Sequence, residues 1–461
     1  MRLRISFSLI LCCVISTFAG TPKYIFYCIG DGMGMSAVTL AQDYKRMVLG
    51  NDSLLQMMQF PVASAAFTHS SSSPVTDSAA AGTALATGYK TKNSMLGMDS
   101  DTMQVVSIAK QLHDIGYGVG LVTTVAPDDA TPGAFYAHVP NRGMFYEIGK
   151  SAAESGYEFI AGANLRGTKD ADGNLNDLLD LFERNRVSVV RGLDKLSDAE
   201  YSKILLLNTD TIHVNDVGYA LDSVPGVLTL TGMTQACLQH LLNNKPEQFF
   251  MMIEGGSIDH GAHANDAATV VKETLNFDNA VKIAYDFYKQ HPEETLIVVT
   301  ADHETGGLAL GNRRLGYNIK PELLQYQKLS KDRFYDELKS LARSRMVLDY
   351  DDMKSYISEN IGLFSHIPVQ ETEEAKLKEA FDKMVALRNG DDTKALYWAA
   401  VEFVDYIYAL VSQESGIGWT TGAHTGSVVP VYAVGVGADE FAALQDNTDI
   451  PKKIARIVGL K

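Results

Sequence analysis

The sequence predicts an α/β fold with a central, mainly parallel sheet flanked by helices on both faces. Apolar runs that resemble buried strands occur at residues 24–29, 119–122, 249–253 and 296–299. Amphipathic stretches with helical spacing precede two of them, at residues 105–113 and 267–288. Strands that alternate with helices in this way are typical of βαβ units, whose strands run parallel.

Each of the four apolar runs is followed by a carboxylate or an imidazole. Asp31, Asp129 and Glu254 follow the first three runs, and Asp302 and His303 follow the fourth. Ligands of open α/β sheets gather outside the carboxyl ends of the strands, so these side chains are expected to meet there. Oxygen and nitrogen donors in one place predict a metal-capable site.

Composition and charge narrow the class of protein. The chain has 461 residues, of which 46% are apolar and 21% charged, as in ordinary globular proteins. Its 40 basic and 56 acidic residues give a net charge of -16, or -18 once Arg2 and Arg4 are removed with the segment described next. This acidic balance argues against nucleic acid or an anionic membrane as a partner.

The first 19 residues have the pattern of a secretory signal peptide. Arg2 and Arg4 form a basic start, residues 5–18 are mainly apolar, and Thr17-Phe18-Ala19 resembles a cleavage site. The alternative is a retained anchor, but the apolar stretch is shorter than the roughly 18–20 residues that span a bilayer. We therefore expect cleavage, a mature chain without a membrane span, and a periplasmic or secreted location.

Residues 20–461 are expected to form a single domain that contains a helical insertion at residues 313–408. Charge density rises in the insertion, strand-like runs stop, and residues 320–342 and 371–387 have the pattern of amphipathic helices. Two roles remain open for it: a solvated surface decoration, or a part that shapes access to the site or contacts another subunit. Cys28 and Cys237 are predicted to be buried thiols rather than a disulfide.

Ser78 lies in a loop just before small residues that favour the start of a helix. The unpaired N–H groups at a helix N-terminus favour phosphate, which suits a serine that reacts with it. Taken alone, Ser78 is better explained as a plain N-cap residue.

Six motifs make the chain resemble the alkaline phosphatase family. The resemblance covers residues 23–437 apart from the insertion, and the motifs stand in the family's order. They are Asp31-Gly32-Met33-Gly34, Thr76-Asp77-Ser78-Ala79-Ala80, Asp129-Ala130-Thr131-Pro132, Glu254-Gly255-Gly256 with Asp259 and His263, Thr300-Ala301-Asp302-His303, and His424-Thr425-Gly426.

The resemblance implies two zinc ions and one magnesium ion. One zinc would be held by Asp259, His263 and His424, and the other by Asp31, Asp302 and His303 beside Ser78; magnesium would be held by Asp31, Thr131 and Glu254, with Asp129 acting through bound water. Nitrogen and oxygen ligands suit zinc, and an all-oxygen set suits magnesium.

The resemblance also implies how substrate is bound and cleaved. Ser78 would be the nucleophile, activated by zinc, and Arg142 would grip the phosphate while Asp77 orients it. His260 would lie near the phosphate, where some bacterial members carry lysine, whereas Asp129 stands where animal members carry histidine. Small-molecule phosphate monoesters of broad variety are the expected substrates, hydrolysed through a phosphoserine.

Alternative functions follow from the same resemblance. A phosphodiesterase or sulfatase of the wider superfamily would share the two-metal core, although Ser78 and the third oxygen-rich site favour monoesters. A non-catalytic metal- or phosphate-binding protein would need to have lost a ligand or Ser78, and none is missing. A homodimer is expected only by analogy with other members.

Overall fold

The computed structural model describes residues 20–169, 172–209, 215–222, 226–245, 247–343, 349–388 and 392–460. The predicted signal peptide, residues 1–19, lies outside the described residues. The strands are β1 (Tyr24–Ile29), β2 (Val62–Phe67), β3 (Gly118–Thr123), β4 (Phe159–Ala161), β5 (Val187–Arg191), β6 (Lys203–Leu207), β7 (Phe249–Glu254), β8 (Thr295–Thr300), β9 (Glu304–Thr305), β10 (Ala309–Leu310), β11 (Ile417–Gly418), β12 (His424–Thr425), β13 (Val429–Gly435) and β14 (Gln445–Asp446).

Fourteen α-helices are found in the described part of the chain, together with short 3₁₀ turns. They are α1 (Met35–Met47), α2 (Ser78–Thr87), α3 (Ile108–Asp114), α4 (Ala130–Gly133), α5 (Phe145–Glu154), α6 (Leu178–Arg184), α7 (Leu230–Asn244), α8 (Ser257–His263), α9 (Ala267–Tyr288), α10 (Lys331–Arg343), α11 (Tyr350–Ile361), α12 (Glu371–Leu387), α13 (Thr393–Ser415) and α14 (Asp449–Val458).

Ten of the strands form one sheet in the order β14-β2-β13-β8-β1-β7-β3-β4-β6-β5. All of its strands run in the same direction except β13, which is antiparallel to both of its neighbours. Every residue of β1, β3, β7 and β8 is buried, and successive residues point to opposite faces, so both faces of the sheet are covered. The predicted fold class, an α/β fold with a mainly parallel central sheet, is confirmed.

Of the two helices predicted to precede strands of the sheet, one has the predicted bounds and the other begins later than predicted. The predicted helix at residues 267–288 matches α9 at both ends. The one predicted at 105–113 begins later, at Ile108, because the Ser107 hydroxyl caps the helix by accepting a hydrogen bond from the Lys110 N–H at 3.2 Å.

The described part of the segment 313–408 contains α10, α11, α12 and most of α13. The helix predicted at residues 371–387 is α12. The single helix predicted at 320–342 is wrong: a 3₁₀ turn at Pro321–Tyr326 is separated from α10 by an extended stretch. The buried carboxylate of Asp266 fixes that break, because it accepts hydrogen bonds from the Gln327 side chain at 2.8 Å and the Lys331 N–H at 2.9 Å.

One described helix, α13, is long and apolar enough to cross a bilayer. Half of its most apolar window is buried, and it packs against α10 and α12. Its composition is therefore explained by its packing against these two helices. Cys28 and Cys237 are both buried and unpaired, as predicted.

Candidate active site

The central strands end level with one another at the edge where the predicted site residues lie. Ile29 at the end of β1 pairs with Glu254 on one side and with Thr300 on the other, and Glu254 also pairs with Thr123. Asp31, Glu254 and Asp302 are therefore brought to one place by the register of β8, β1, β7 and β3. Gly32 allows the close approach, since a Cβ there would lie 2.7 Å from Oδ1 of Asp259.

Ser78 is the first residue of α2, and it is buried. Asp77 caps the helix: one of its carboxylate oxygens accepts from the Ala80 N–H at 3.0 Å, and the other accepts from the Ser94 N–H at 2.9 Å. Helix α2 presses closely on α4, since a Cβ at Gly82 would lie 3.2 Å from the Cα of Thr131. The serine is thus held rigidly at a helix N-terminus beside the magnesium ligands implied by the sequence.

Asp31, Asp302 and His303, here called the Asp302 cluster, lie together, and His303 contacts the serine hydroxyl. Nε2 of His303 lies 3.2 Å from the Ser78 oxygen, 3.4 Å from Oδ1 of Asp31 and 3.2 Å from Oδ2 of Asp302. Those two carboxylate oxygens are buried and accept no hydrogen bond. Two such oxygens facing one imidazole nitrogen fit a bound cation.

The acidity of these carboxyls reflects their crowding. Burial raises the pKa of Asp302 to about 7, with Asp259 adding to the effect. Burial also raises the pKa of Asp31, and the neighbouring Asp302, Asp259 and Glu254 raise it further. Buried carboxylates that repel one another in this way require a positive charge among them to stay ionised.

Asp259, His263 and His424, here called the Asp259 cluster, converge next to the first. Nε2 of His263 lies 3.2 Å from Oδ2 of Asp259 and 3.1 Å from Nε2 of His424, which lies 3.8 Å from Oδ1 of Asp259. A tetrahedral zinc with ligands at about 2.0–2.2 Å separates them by about 3.3–3.6 Å. The three separations, 3.2, 3.1 and 3.8 Å, bracket this range, so small side-chain adjustments would let one zinc ion bind.

The hydrogen bonds of the histidines fix which nitrogen is free to bind a metal. Nδ1 of His424 donates to the Thr76 carbonyl at 2.8 Å, and Nδ1 of His263 donates to the Gly422 carbonyl at 2.7 Å. Each neutral ring then carries its lone pair on Nε2. Two lone pairs facing each other at 3.1 Å repel unless a cation or proton lies between them.

Thr305 links the two clusters and was not predicted from the sequence. Its hydroxyl donates to Oδ1 of Asp259 at 2.5 Å and therefore accepts from Nδ1 of His303 at 3.1 Å. This leaves the lone pair of His303 on Nε2, toward Ser78. The rings of His303 and His424 stack with centroids 3.6 Å apart, so the two candidate metal sites are adjacent.

Asp31 also belongs to the third predicted set, with Thr131 and Glu254, and its second carboxylate oxygen faces Thr131. The Thr131 hydroxyl donates to Oδ2 of Asp31 at 3.3 Å, while Oδ1 of Asp31 faces His303. Glu254 is fully buried, neither of its carboxylate oxygens has a hydrogen-bond partner, and burial raises its pKa to about 8. These unpartnered buried oxygens have the chemistry of a site for a hard cation.

Arg142 lies between two acidic residues at the mouth of the site. It donates to Oδ1 of Asp129 at 3.0 Å, and its other terminal nitrogen lies 3.7 Å from Oδ2 of Asp77. The sequence predicted the pairing with Asp77, and Asp129 proves to be the closer partner. The guanidinium is fixed by both carboxylates and remains about one-third exposed, so it can reach a ligand from solvent.

Arg166 is a second guanidinium on Asp129, and the sequence analysis missed it. It donates to Oδ2 of Asp129 at 2.9 Å and lies over the Phe145 ring at 4.1 Å. The buried Asp128 holds its backbone by accepting from the N–H groups of Arg166 and Gly167 at 2.9 Å and 2.7 Å. The apolar strand β4 ends five residues earlier, at Ala161, and that was the available signal.

His260 lies at the same mouth, with its Nδ1 3.8 Å from Asp216. Burial alone would lower the pKa of His260, but the Asp216 carboxylate and the charges of Asp259 and Asp129 outweigh it and raise the pKa to about 9. The contact with Asp216 was not predicted. At this distance the contact is a charge interaction rather than a hydrogen bond.

Comparisons with known proteins agree with the motifs. The sequence model of one protein family, described as alkaline phosphatase, matches residues 22–175 and 150–460. Alkaline phosphatase 3 of Bacillus subtilis is 29% identical over 443 residues, which cover 94% of this chain and 88% of the relative. The alkaline phosphatase of Schizosaccharomyces pombe is 27% identical over 93% of this chain and 80% of the relative.

The folds of two solved structures match this chain over most of its length. A cold-active alkaline phosphatase from the psychrophile Shewanella sp. superimposes with a TM-score of 0.78 at 27% identity, covering 94% of this chain and 99% of that one. A histidine-to-glutamate variant of TAB5 alkaline phosphatase, a structure with magnesium bound, gives a TM-score of 0.65 at 26% identity, covering 96% and 99%.

Proposed function

The chain belongs to the alkaline phosphatase family, and we propose that it hydrolyses phosphate monoesters of broad variety through a phosphoserine at Ser78, using two zinc ions and one magnesium ion. Family membership makes it a phosphatase; the ester class, the intermediate and the ions are the proposal. The observation that supports it most is the 3.2 Å contact between the buried Ser78 hydroxyl and Nε2 of His303, whose free lone pair faces two carboxylate oxygens without hydrogen bonds.

The Asp259 cluster and the Asp302 cluster would each hold one zinc ion. Both present imidazole Nε2 atoms and carboxylate oxygens, and the carbonyl and hydroxyl partners of Nδ1 keep the rings in place. Asp31, Thr131 and Glu254 would hold magnesium, with Asp129 nearby. When bound, the zinc ions supply Lewis-acid activation of the serine hydroxyl, the leaving oxygen and the hydrolytic water, and magnesium adds positive charge.

Arg142 would bind the phosphoryl group. Its planar guanidinium offers two parallel N–H donors to phosphoryl oxygens, and Asp129 and Asp77 hold it in one orientation. His260, kept in place by Asp216, stands on the same side of the site and would contribute a further N–H donor. Positioning of this kind supplies most of the catalysis in phosphoryl transfer.

Ser78 would carry the phosphoryl group between two displacements. Its oxygen gives up a proton on activation, attacks phosphorus and forms an O–P bond while the ester O–P bond breaks, and the leaving alkoxide takes up a proton to become the alcohol. Water then attacks the same phosphorus, the serine O–P bond breaks, the proton lost by the water restores the serine hydroxyl, and inorganic phosphate departs. The N-terminal N–H groups of α2, which begins at Ser78, favour the negative charge in both steps.

Turnover of a chromogenic phosphate monoester at alkaline pH tests this function. Wild type and Ser78→Ala would be compared, with zinc and magnesium measured on the same samples, and Ser155→Ala, on a helix end away from the site, as the control. We expect turnover to collapse in Ser78→Ala but not in Ser155→Ala, and the metal content of Ser78→Ala to match that of wild type. If the wild-type protein binds the metals but hydrolyses only phosphate diesters or sulfate esters, the monoesterase proposal is wrong. The protein is then a phosphodiesterase or a sulfatase.

The setting of the protein is also part of the proposal. The basic and apolar pattern of residues 1–19 supports export, and we propose that the enzyme works in the periplasm or outside the cell after cleavage. Small phosphate esters are its proposed partners, and a homodimer is proposed by analogy with the family. Mass spectrometry of the mature N-terminus from cell fractions would test the location and the cleavage. Light scattering would test the homodimer.

A further inference from the structure

A cavity of about 860 Å³ opens between the helical insertion and the core, and His263 forms part of its wall. The insertion supplies residues at its start and from α13, and the core supplies the segment after α8 and the loop 417–422. A space of this size accommodates a small organic molecule.

The cavity borders the candidate metal centre through one shared residue, His263. His263 turns Nε2 toward Asp259 and His424, while its Nδ1 donates to the Gly422 carbonyl, and Gly422 also lines the cavity. Under the proposed function, the leaving oxygen of the ester lies at the Asp259 cluster. The remainder of the alcohol would then extend past His263 into this space.

Trp419 gives the cavity a fixed aromatic surface. Its ring packs on the core so closely that a Cβ at Gly306 would lie 2.6 Å from it. Its indole N–H donates to the Ser412 hydroxyl of α13 at 3.1 Å. A ring held from both sides offers a flat surface at little cost in entropy.

The lining is basic although the chain as a whole is acidic. Arg313, Arg314 and Lys331 line it against a single acidic lining residue, Asp405, in a chain of net charge -16. Arg314 is paired with Glu373 and Glu414, and Lys331 is paired with Asp405 at 2.7 Å. Arg313 is exposed and forms no ion pair with any residue in the described ranges. It is therefore the cation available to a ligand.

We propose that this cavity binds the alcohol part of phosphate monoesters that carry a second anionic group, with Arg313 as the contact for that group. The inference rests on the proposed function, because it assigns the alcohol side of the same site. It gives the insertion a role in substrate selection, one of the two roles that the sequence left open. Esters with a neutral alcohol remain substrates, since the phosphoryl group is bound elsewhere.

Binding of two matched phosphonates tests this inference without requiring turnover. Phenylphosphonate and 4-carboxyphenylphosphonate differ only in the second anion, and their dissociation constants would be measured by calorimetry on zinc- and magnesium-loaded protein. Wild type is expected to bind the carboxylated compound about twofold to fivefold more tightly, as for an exposed charge pair. Arg313→Gln is expected to remove that preference, and Arg184→Gln, on the distant helix α6, to retain it.

The outcomes separate the cavity from the phosphatase function. Equal affinities in wild type, or a preference that survives in Arg313→Gln, would overturn the inference even if phenyl phosphate is hydrolysed. A preference that depends on Arg313 in protein that hydrolyses no monoester would support the anion site and overturn the proposed function instead. Loss of the preference at high salt would support the charge contact further.

Discussion

The Ser78 hydroxyl lies 3.2 Å from Nε2 of His303, but the pair is not built like the serine and base of an acyl-transfer triad. A triad base is oriented by a carboxylate on its other nitrogen. Nδ1 of His303 instead donates to the Thr305 hydroxyl, and its Nε2 faces the carboxylates of Asp31 and Asp302. Burial and the ring of His424 lower the pKa of His303, so the neutral imidazole is favoured, as a metal ligand requires.

Metal removal is expected to destabilise the fold. The carboxylates and lone pairs of the two clusters repel one another without cations, so chelation followed by gel filtration should lower the melting temperature, and zinc should restore it. Saturation at about 100 times the dissociation constant contributes about 2.7 kcal/mol. Differential scanning calorimetry measures the change. His424→Asn should lose less on chelation, and a melting temperature indifferent to chelator in wild type would contradict the metal sites.

Replacement of Arg142 by lysine is expected to weaken phosphate binding. Lysine keeps the charge but loses the two parallel donors, so KM for a monoester and the inhibition constant for inorganic phosphate should both rise about tenfold or more. Steady-state kinetics with added phosphate gives both values. Arg184→Lys serves as the control on α6. Unchanged inhibition by phosphate would show that Arg142 is not the phosphate ligand.

Arg166→Gln is expected to act through Asp129. Loss of the 2.9 Å ion pair leaves one Asp129 oxygen without a cation, so Arg142 becomes less firmly oriented toward phosphate. KM should rise by up to about tenfold, the equivalent of about 1.4 kcal/mol, with little change in kcat. Arg166→Lys should recover part of the effect, because it retains a charge near Asp129. A fall in kcat at constant KM would exclude this positioning role.

Glu273 should make the stability depend on pH. Burial raises its pKa to about 7 despite hydrogen bonds from the Ala220 N–H and the Asn276 side chain, and Asp216 and Asp222 raise it further. The unfolded chain loses this proton near pH 4.5, while the folded chain keeps it until about pH 7. The stabilisation is therefore lost as the pH rises from about 4.5 to 7.

The variant Glu273→Gln isolates that contribution. Gln lacks the titrating proton but can still accept from Ala220, so its free energy of unfolding should fall less than that of wild type over this range, by at most about 3 kcal/mol. Urea titrations of the metal-loaded proteins at several pH values provide the comparison. Parallel curves for the two proteins would contradict the assignment.

The strands and the residues at their ends could be predicted because the signals are local. A buried parallel strand is a continuous apolar run, and β1, β3, β7 and β8 were each preceded or followed by a clear change of composition. Asp31, Glu254 and Asp302 follow such runs within three residues, so the parallel sheet brings them together. The six motifs then indicated which of them would bind metals.

Other parts of the site depend on contacts that no local pattern records. Arg166 reaches Asp129 only because Asp128 holds the loop after β4, and Thr305 matters because its hydroxyl joins Asp259 to His303. The break before α10 is likewise fixed by Asp266, 65 residues from Lys331 in the sequence. Such features follow from the tertiary structure and could not be derived from periodicity.

Detection of phosphate on Ser78 tests the central claim most directly. The metal-loaded enzyme would be incubated with a phosphate monoester, quenched in acid to preserve a phosphoserine, digested, and its peptides sequenced by mass spectrometry. We predict phosphate on the peptide that contains Ser78, and none in Ser78→Ala. Steady turnover with no phosphorylated peptide, or with phosphate on another residue, would contradict the serine-nucleophile mechanism.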